Sequence, residues 1–447
     1  MPDLTFETLL SRQLRAYAEA GVRPIDRVAM AEDTIARGRT MPRWRRGLGL
    51  APLPRNRVLI PLLVGLLLAA LAGGALLVGS RLPAPRTPSH TYRNELVAAP
   101  DLSMPMAHPA LVPLLDGRVL VIGDDGDGGG IGTRALVYDP ATGTSEPTGP
   151  LVSGDSLWVE SAVRLKDGRV LVVGNALAQL FDPDTLRFTP VGPMITPRGG
   201  AAVALLPDGH VLFAGGTPSG QDAATTSAEL FDPDTLTFSP TGSFVGTSRA
   251  SAGTAILPDG RVFVTPGPSL RTAEVYDPRT GTFGAAGTMS SYFHGNTAIA
   301  LPDGRVVVLG GSSLSSQGFA EVWDPTSRTF SPGCRPRPCP LVGPDGGMGA
   351  AESDLPGRVT SATLLDDGRI LLAGERRIGD QTASWSGIYD PTAGATLVTQ
   401  TTRAWGPRAT RLADGRVLIV GGLTDGRTDH GEGGMSAPAV TTVEIFQ

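Results

Sequence analysis

The sequence predicts an all-β fold in which one four-stranded unit is repeated seven times, and three observations predict it. An Asp-Gly dipeptide followed by Arg or His and then by Val or Ile recurs at Asp116, Asp167, Asp208, Asp259, Asp303, Asp367 and Asp414. The spacings of 51, 41, 51, 44, 64 and 47 residues suit the blades of a propeller. An aromatic residue precedes Asp-Pro later in each unit, at Tyr138, Phe181, Phe231, Tyr276, Trp323 and Tyr389, and the seventh unit stops at Phe446-Gln447. Glycine and proline, 59 and 39 of 447 residues, supply the turns that many short strands need.

The chain before the repeats has a different character. Leu9, Leu10, Leu14 and Tyr17 fall at helical spacing, and Val28, Ala31 and Ile35 do so after Pro24, so residues 1–57 read as a small helical segment with an arginine-rich tail. It holds neither His nor Cys, which disfavours a zinc-binding domain. Residues 58–79, VLIPLLVGLLLAALAGGALLVG, carry no charge and are long enough at 1.5 Å per residue to cross a bilayer core of about 30 Å. The 57 residues ahead of this run are too many for a signal-peptide leader, so a membrane-spanning helix is expected. Arginines outnumber those beyond it on the N-terminal side. The positive-inside rule therefore places the N-terminus in the cytoplasm and the bulk of the protein outside the plasma membrane. Residues 80–90 form a proline-rich spacer.

Residues 91–447 hold the repeats, and the stretch from Arg198 to Gly242 shows the unit most plainly. AAVALL meets Pro-Asp-Gly, HVLFAGG follows, and AELFDP pairs with LTFSPTG across a second turn. Asp-Gly between two apolar runs signals a hairpin because both residues tolerate positive φ. The recurring aromatics are expected to pack between sheets. The seventh unit lacks a fourth strand, and Tyr92 matches Phe188, Phe238, Phe283 and Phe330 of the other fourth strands. Residues 91–98 are therefore expected to complete the last sheet and close the ring, since an open sheet edge is costly. Both kinds of tight turn then share one face. The longer, variable connections share the other, where binding residues usually sit.

The DGRVLVVGG-type hairpin, the paired glycines Gly215-Gly216, Gly310-Gly311 and Gly421-Gly422, and the later aromatic strand resemble kelch repeats of the galactose-oxidase-like propellers. The resemblance covers residues 91–447 and implies a seven-bladed kelch-like β-propeller. It departs at Gly123-Asp124, Gly174-Asn175, Thr265-Pro266 and Gly374-Glu375, where the double glycine is lost. Copper oxidases of that type hold the metal with Tyr and His and carry a Tyr-Cys crosslink. Here Cys334 and Cys339 both lie in an insertion between the fifth and sixth units, a departure that argues against the oxidase chemistry. With four residues between them and an extracytoplasmic setting, the two cysteines are expected to form a disulfide.

On the variable face, Trp158, Arg198, Arg249, Tyr292, His294, Arg403 and Trp405 are the candidate binding residues at the channel mouth. Aromatic faces and arginine forks suit sugars, peptides or carboxylates, although the same side chains can equally plug the channel. Asp124, Asp125 and Asp127 in one loop, and Asp429 with His430 in another, offer oxygen and nitrogen ligands for Ca²⁺ or simply face water. No other cofactor is expected. There is no GxSxG elbow, P-loop or HExxH pair. A net charge of -5 without basic blocks gives no reason to expect nucleic acid. The expectation is a membrane-anchored module that binds a protein or carbohydrate ligand, favoured over an enzyme without settling that question, with a sensory role open to it and residues 1–40 as a docking segment for a cytoplasmic partner. A carbohydrate-active hydrolase or lyase using Tyr292 and His294, and a structural cell-envelope protein, are the alternatives.

Overall fold

A computed structural model describes residues 91–447 apart from 125–133, 152–158, 175–176, 269, 291–293, 312–317, 334–339, 343–347, 351–354, 379–380, 393–394, 400–405, 422–427, 430–434 and 437–439. Within strands, the side chains at 108, 159–160, 294–296, 340–342, 348–350, 376–378, 381–383, 395–399, 428–429 and 435–436 are also outside the description. The expected helical segment, membrane span and spacer of residues 1–90 lie outside the described residues, as do Cys334 and Cys339. Among the described residues no helix is long and apolar enough to cross a membrane.

Seven sheets, each built on four antiparallel strands, follow one another along the described chain, beside two small two-stranded hairpin pairings. In blade one the strands Ala107–Pro113, Val119–Asp124, Arg134–Asp139 and Thr144–Pro147 pair in sequence order. The first strands of the later blades are Val159–Arg164, Ala202–Leu205, Thr254–Ile256, His294–Ala300, Arg358–Leu364 and Arg408–Arg411. Each of the seven touches the next, and the last touches the first. That contact cycle makes the fold a closed seven-bladed propeller with the first strands innermost.

The second strands read as unbroken apolar runs because each blade is covered on both faces. Val119 and Val121 enter the core shared with blade seven, whereas Leu120 and Ile122 enter the core shared with blade two. The same division recurs around the ring, giving one apolar core between every two neighbouring blades. The aromatic of each third strand is buried in one of these cores, as expected. Where it has a polar tip, that tip is tied to the preceding blade. The Trp323 Nε1–H donates to Ala286 O at 2.7 Å, the Tyr138 hydroxyl to Pro100 O at 3.1 Å, and Tyr389 to Gly333 O. Tyr276 shares a 2.8 Å hydrogen bond with the Thr241 hydroxyl. Position, not residue type alone, makes these rings inter-blade latches.

The Asp-Gly turns are uniform but differ from the expectation that both residues use positive φ. Only the glycine does, with φ +92° at Gly117 and +107° at Gly209. Gly117 N–H reaches back to Leu114 O while Leu114 N–H donates to Arg118 O at 2.8 Å, so the loop is a three-residue turn closed by a left-handed glycine. The aspartate keeps negative φ because its carboxylate has another task. Asp116 Oδ1 accepts from Arg118 N–H at 3.0 Å and Oδ2 from Arg118 Nε at 2.7 Å. The arginine then reaches Pro183 O of blade two, and Arg169 reaches Pro233 O of blade three in the same way. The Asp-Pro turns use carboxylates similarly. Backbone N–H donors, foremost those of Ala141, Asp234 and Ser327, hold Asp139, Asp232 and Asp324 below the usual carboxylate range, and the Arg279 side chain leads in doing so for Asp277.

The ring closes through an N-terminal strand, as expected, but its bounds and its aromatic differ. The strand is Leu96–Ala99, and Leu96, not Tyr92, stands opposite Phe446 in the register. Tyr92 precedes the strand and stacks on Phe446 from outside the ladder at 5.6 Å, its hydroxyl donating to Gly415 O at 2.7 Å. Arg93 N–H and Glu95 N–H both turn onto Gln447 O, which displaces the strand start beyond the ring. Blade six also departs from the four-stranded unit. Pro340–Val342 pairs parallel to the outer strand Ala395–Thr399 and antiparallel to Met348–Ala350, so this sheet has six strands.

Candidate functional site

Strand direction places the start of every innermost strand on the variable face. The third strands anchor the connections that cross this face. Glu229 stands two residues before Phe231, and its carboxylate accepts from Ile195 N–H and Thr196 N–H, both at 2.9 Å. Glu274, two residues before Tyr276, accepts from Val245 N–H at 2.9 Å and Gly246 N–H at 3.1 Å. Glu321, before Trp323, accepts from Ser290 N–H and from its hydroxyl at 2.6 Å. A buried glutamate thus clamps each of these inter-blade connections.

Two of the expected binding residues belong to these clamps. Arg198 Nη2 meets Glu229 at 2.5 Å with both side chains almost wholly buried, and its other donors go to Thr196 O, Gly215 O and Ser227 O. Arg249 Nη2 meets Glu274 at 2.5 Å, Nη1 donates to Thr272 O at 3.0 Å, and the guanidinium lies 4.4 Å from the Phe244 ring centroid. Burial pulls the Arg249 pKa below its ordinary value, and Glu274 opposes that shift. The expectation that Arg198 and Arg249 present forks at the channel mouth is therefore corrected. Their connections fold down onto the third strand, so the guanidinium groups serve the wall.

The other expected residues divide by position. Trp158, Tyr292, Arg403, Trp405, Asp125, Asp127 and His430 lie outside the described residues. His294 opens the innermost strand of blade five, with its backbone opposite Gly311. Asp124 ends the second strand of blade one, opposite Ala107, and is half-buried. Asp429 pairs with Met435 in a short hairpin of blade seven. Among the described residues no three His, Cys, Asp or Glu side chains gather as a metal site.

A cluster not singled out in the sequence lies on the same face between blades six and seven. Arg358 opens the innermost strand of blade six, opposite Glu375, and Arg408 opens that of blade seven. The part-buried Arg408 guanidinium donates to Thr360 O through Nη1. It is held below its ordinary pKa by burial first and by the charge of Arg358 second, with Glu375 opposing. Among the described residues, Arg358 Nε is buried and has no hydrogen-bond partner. Glu375 approaches Gly406, its Oε1 standing 3.9 Å from where a β-carbon there would lie. No ion pair joins the three side chains among the described residues. The signal for Arg408 was present in the repeats: the residues at its register level are Ala110, Ser161, Ala202, Gly253, Thr297 and Ser361, all small. Finding it needed the strand register, which the loops of unequal length obscure.

No family model and no curated protein matches the chain. Among solved structures, the fold is similar to that of a fungal alcohol oxidase of the AA5 family, determined in complex with copper. The TM-score is 0.56 with 16% identity, over 79% of this chain and 75% of that one. At that identity the likeness is one of fold, a seven-bladed propeller.

Proposed function

We propose that the chain is a membrane-anchored, extracytoplasmic propeller that binds a ligand at the variable face of its ring. The observation that carries the binding role is the Arg358, Glu375 and Arg408 cluster: charged groups at the ends of innermost strands, held by the scaffold and not consumed by ion pairs with one another. Anchoring rests on the uncharged run 58–79 and the arginine excess before it. The disulfide between Cys334 and Cys339, a Ca²⁺ role for the acidic loops and a cytoplasmic partner for residues 1–40 belong to this reading as well.

Glycan and peptide arrays probed with the full-length protein in detergent test the binding role. Retention that weakens on substitution of Arg358 supports it, and uniform background signal on every array sinks it. Fluorescent-protein fusions at each terminus test the orientation, with fluorescence expected only from a cytoplasmic N-terminal tag. Deleting residues 1–40 should abolish any cellular response to the bound ligand if that segment docks a partner. The fold likeness to an alcohol oxidase motivates a second reading, oxidation of an alcohol. Peroxide release from primary alcohols after copper loading tests it.

A further inference from the structure

We propose that the rim between blades six and seven is a site for an anionic sugar, in which Arg358 and Arg408 hold an oxyanion and Glu375 accepts a neighbouring hydroxyl. The inference rests on the ligand-binding reading above and names the ligand chemistry.

Three observations converge on it. The guanidinium of Arg358 has a buried Nε–H with no acceptor among the described residues, a state that is costly unless something else accepts that proton. Arg408 spends one donor on Thr360 O, which fixes the guanidinium at the level of the inner strand of blade six and leaves further donors of the fork available. The position is also built to be held in place, because Thr360 is itself buried and its one hydroxyl proton is shared between Ala373 O at 3.1 Å and Pro407 O at 3.0 Å. The charge of Arg358 acts on Arg408 more strongly than the opposing charge of Glu375, and a bound oxyanion relieves that repulsion while satisfying the orphan donor.

Glu375 narrows the ligand class. A plain anion site gains nothing from a carboxylate beside it, since like charges repel. An acceptor next to an oxyanion pocket suits a molecule that carries its charge beside hydroxyl donors, as an acidic or esterified sugar does. Gly374 supports the arrangement from below. A β-carbon there would meet Arg358 O at 2.3 Å and Trp385 Nε1 at 2.6 Å, so the backbone of the two strands can approach only without a side chain. Carboxylate, phosphate and sulfate share the required chemistry, and the test separates them.

The experiment is calorimetric titration of the full-length protein at fixed ionic strength with glucuronate, glucose 6-phosphate, glucose 6-sulfate, glucose and cyclohexanecarboxylate. At least one of the three anionic sugars should bind about tenfold more tightly than glucose, and which one does so identifies the oxyanion. Arg358→Gln should erase that preference, Arg358→Lys should keep part of it, and Glu375→Gln should reduce the preference for glucuronate over cyclohexanecarboxylate. Arg416→Gln, on the tight-turn face, should leave all affinities unchanged. Equal affinity for glucose and every anionic sugar, or wild-type affinity in Arg358→Gln, overturns the proposal. Retained glucose binding without an anion preference would overturn only this inference and leave the ligand-binding reading standing. Melting curves identify any variant that fails to fold, and the charge-retaining Arg358→Lys then carries the comparison.

Discussion

Blades three and four differ from blades six and seven in what they do with arginine. Arg249 is 2% exposed and has a carboxylate, two carbonyls and an aromatic ring around it. Among the described residues, Arg358 is half-buried with no acceptor for its Nε–H, and the Arg408 guanidinium is part-buried with one bond to a carbonyl. The same side chain is a structural pin in one sector and an available donor in the other. Where the third strand carries Glu229 or Glu274, the preceding connection is drawn down and its arginine is neutralised, whereas blade six has Gly387 at the equivalent place, two residues before Tyr389. Blade seven carries Glu444 there, two residues before Phe446, but its Arg408 stands within the inner strand and not in the connection ahead of it. An arginine on the variable face is thus informative only when its glutamate is known.

The sharpest way to break this comparison is to remove one partner of a buried pair. Arg249→Ala leaves Glu274 charged in the core and is expected to cost about 3–5 kcal/mol in chemical denaturation. An Arg249→Met, Glu274→Leu double variant should stay destabilised by about 2 kcal/mol, because Val245 N–H and Gly246 N–H lose their acceptor. Full recovery in the double variant would show that the glutamate does not clamp the connection. Tyr276→Phe removes a neutral latch with Thr241 and should cost about 1 kcal/mol by the same measurement.

Exposed turns provide a further contrast through pH. The carboxyls of Asp139, Asp232, Asp277 and Asp324 are depressed in the folded state. Their stabilisation is therefore fully present above the unfolded value of about 3.9 and is lost as pH falls through the lower folded values. Replacing all four by Asn should flatten the acid limb of a stability-pH curve, and an unchanged limb would remove these turns from the account. Arg416 pairs with Asp414 at the surface, and Arg416→Gln should cost only about 0.2–1 kcal/mol in urea unfolding. Arg358→Gln should change stability least, by less than about 0.5 kcal/mol, since among the described residues its side chain has no hydrogen bond or ion pair to break. A loss comparable to that of Arg249→Ala would place Arg358 among the structural pins.

Much of the fold was legible because its determinants are local and repeat. The Leu-x-Asp-Gly turn, followed by Arg or once by His210, needs one left-handed glycine and a carboxylate within two residues of the N–H that it accepts, so seven copies announce seven hairpins. The aromatic before Asp-Pro marks the third strand by the same logic. The exchange of roles between Tyr92 and Leu96 was not legible, since it follows from the hydrogen bonds of Arg93 and Glu95 to Gln447, across the full length of the domain. The six-stranded sheet of blade six was likewise hidden in an insertion whose parallel pairing to Ala395–Thr399 carries no local turn signal.

Sequence alone determined the number of blades, the closed ring and the division into a plain and a variable face, because turn chemistry and apolar runs act over a few residues. Tertiary structure decided which arginines are available. Arg198 and Arg249 resemble Arg358 and Arg408 in type and in their place near the start of a blade, and all four lie on the same side of the ring. Their fates separate only when a glutamate some 25 to 31 residues further along comes within hydrogen-bond reach of two of them and not of the others. Burial and charge pairing depend on that long-range proximity, which no short motif encodes.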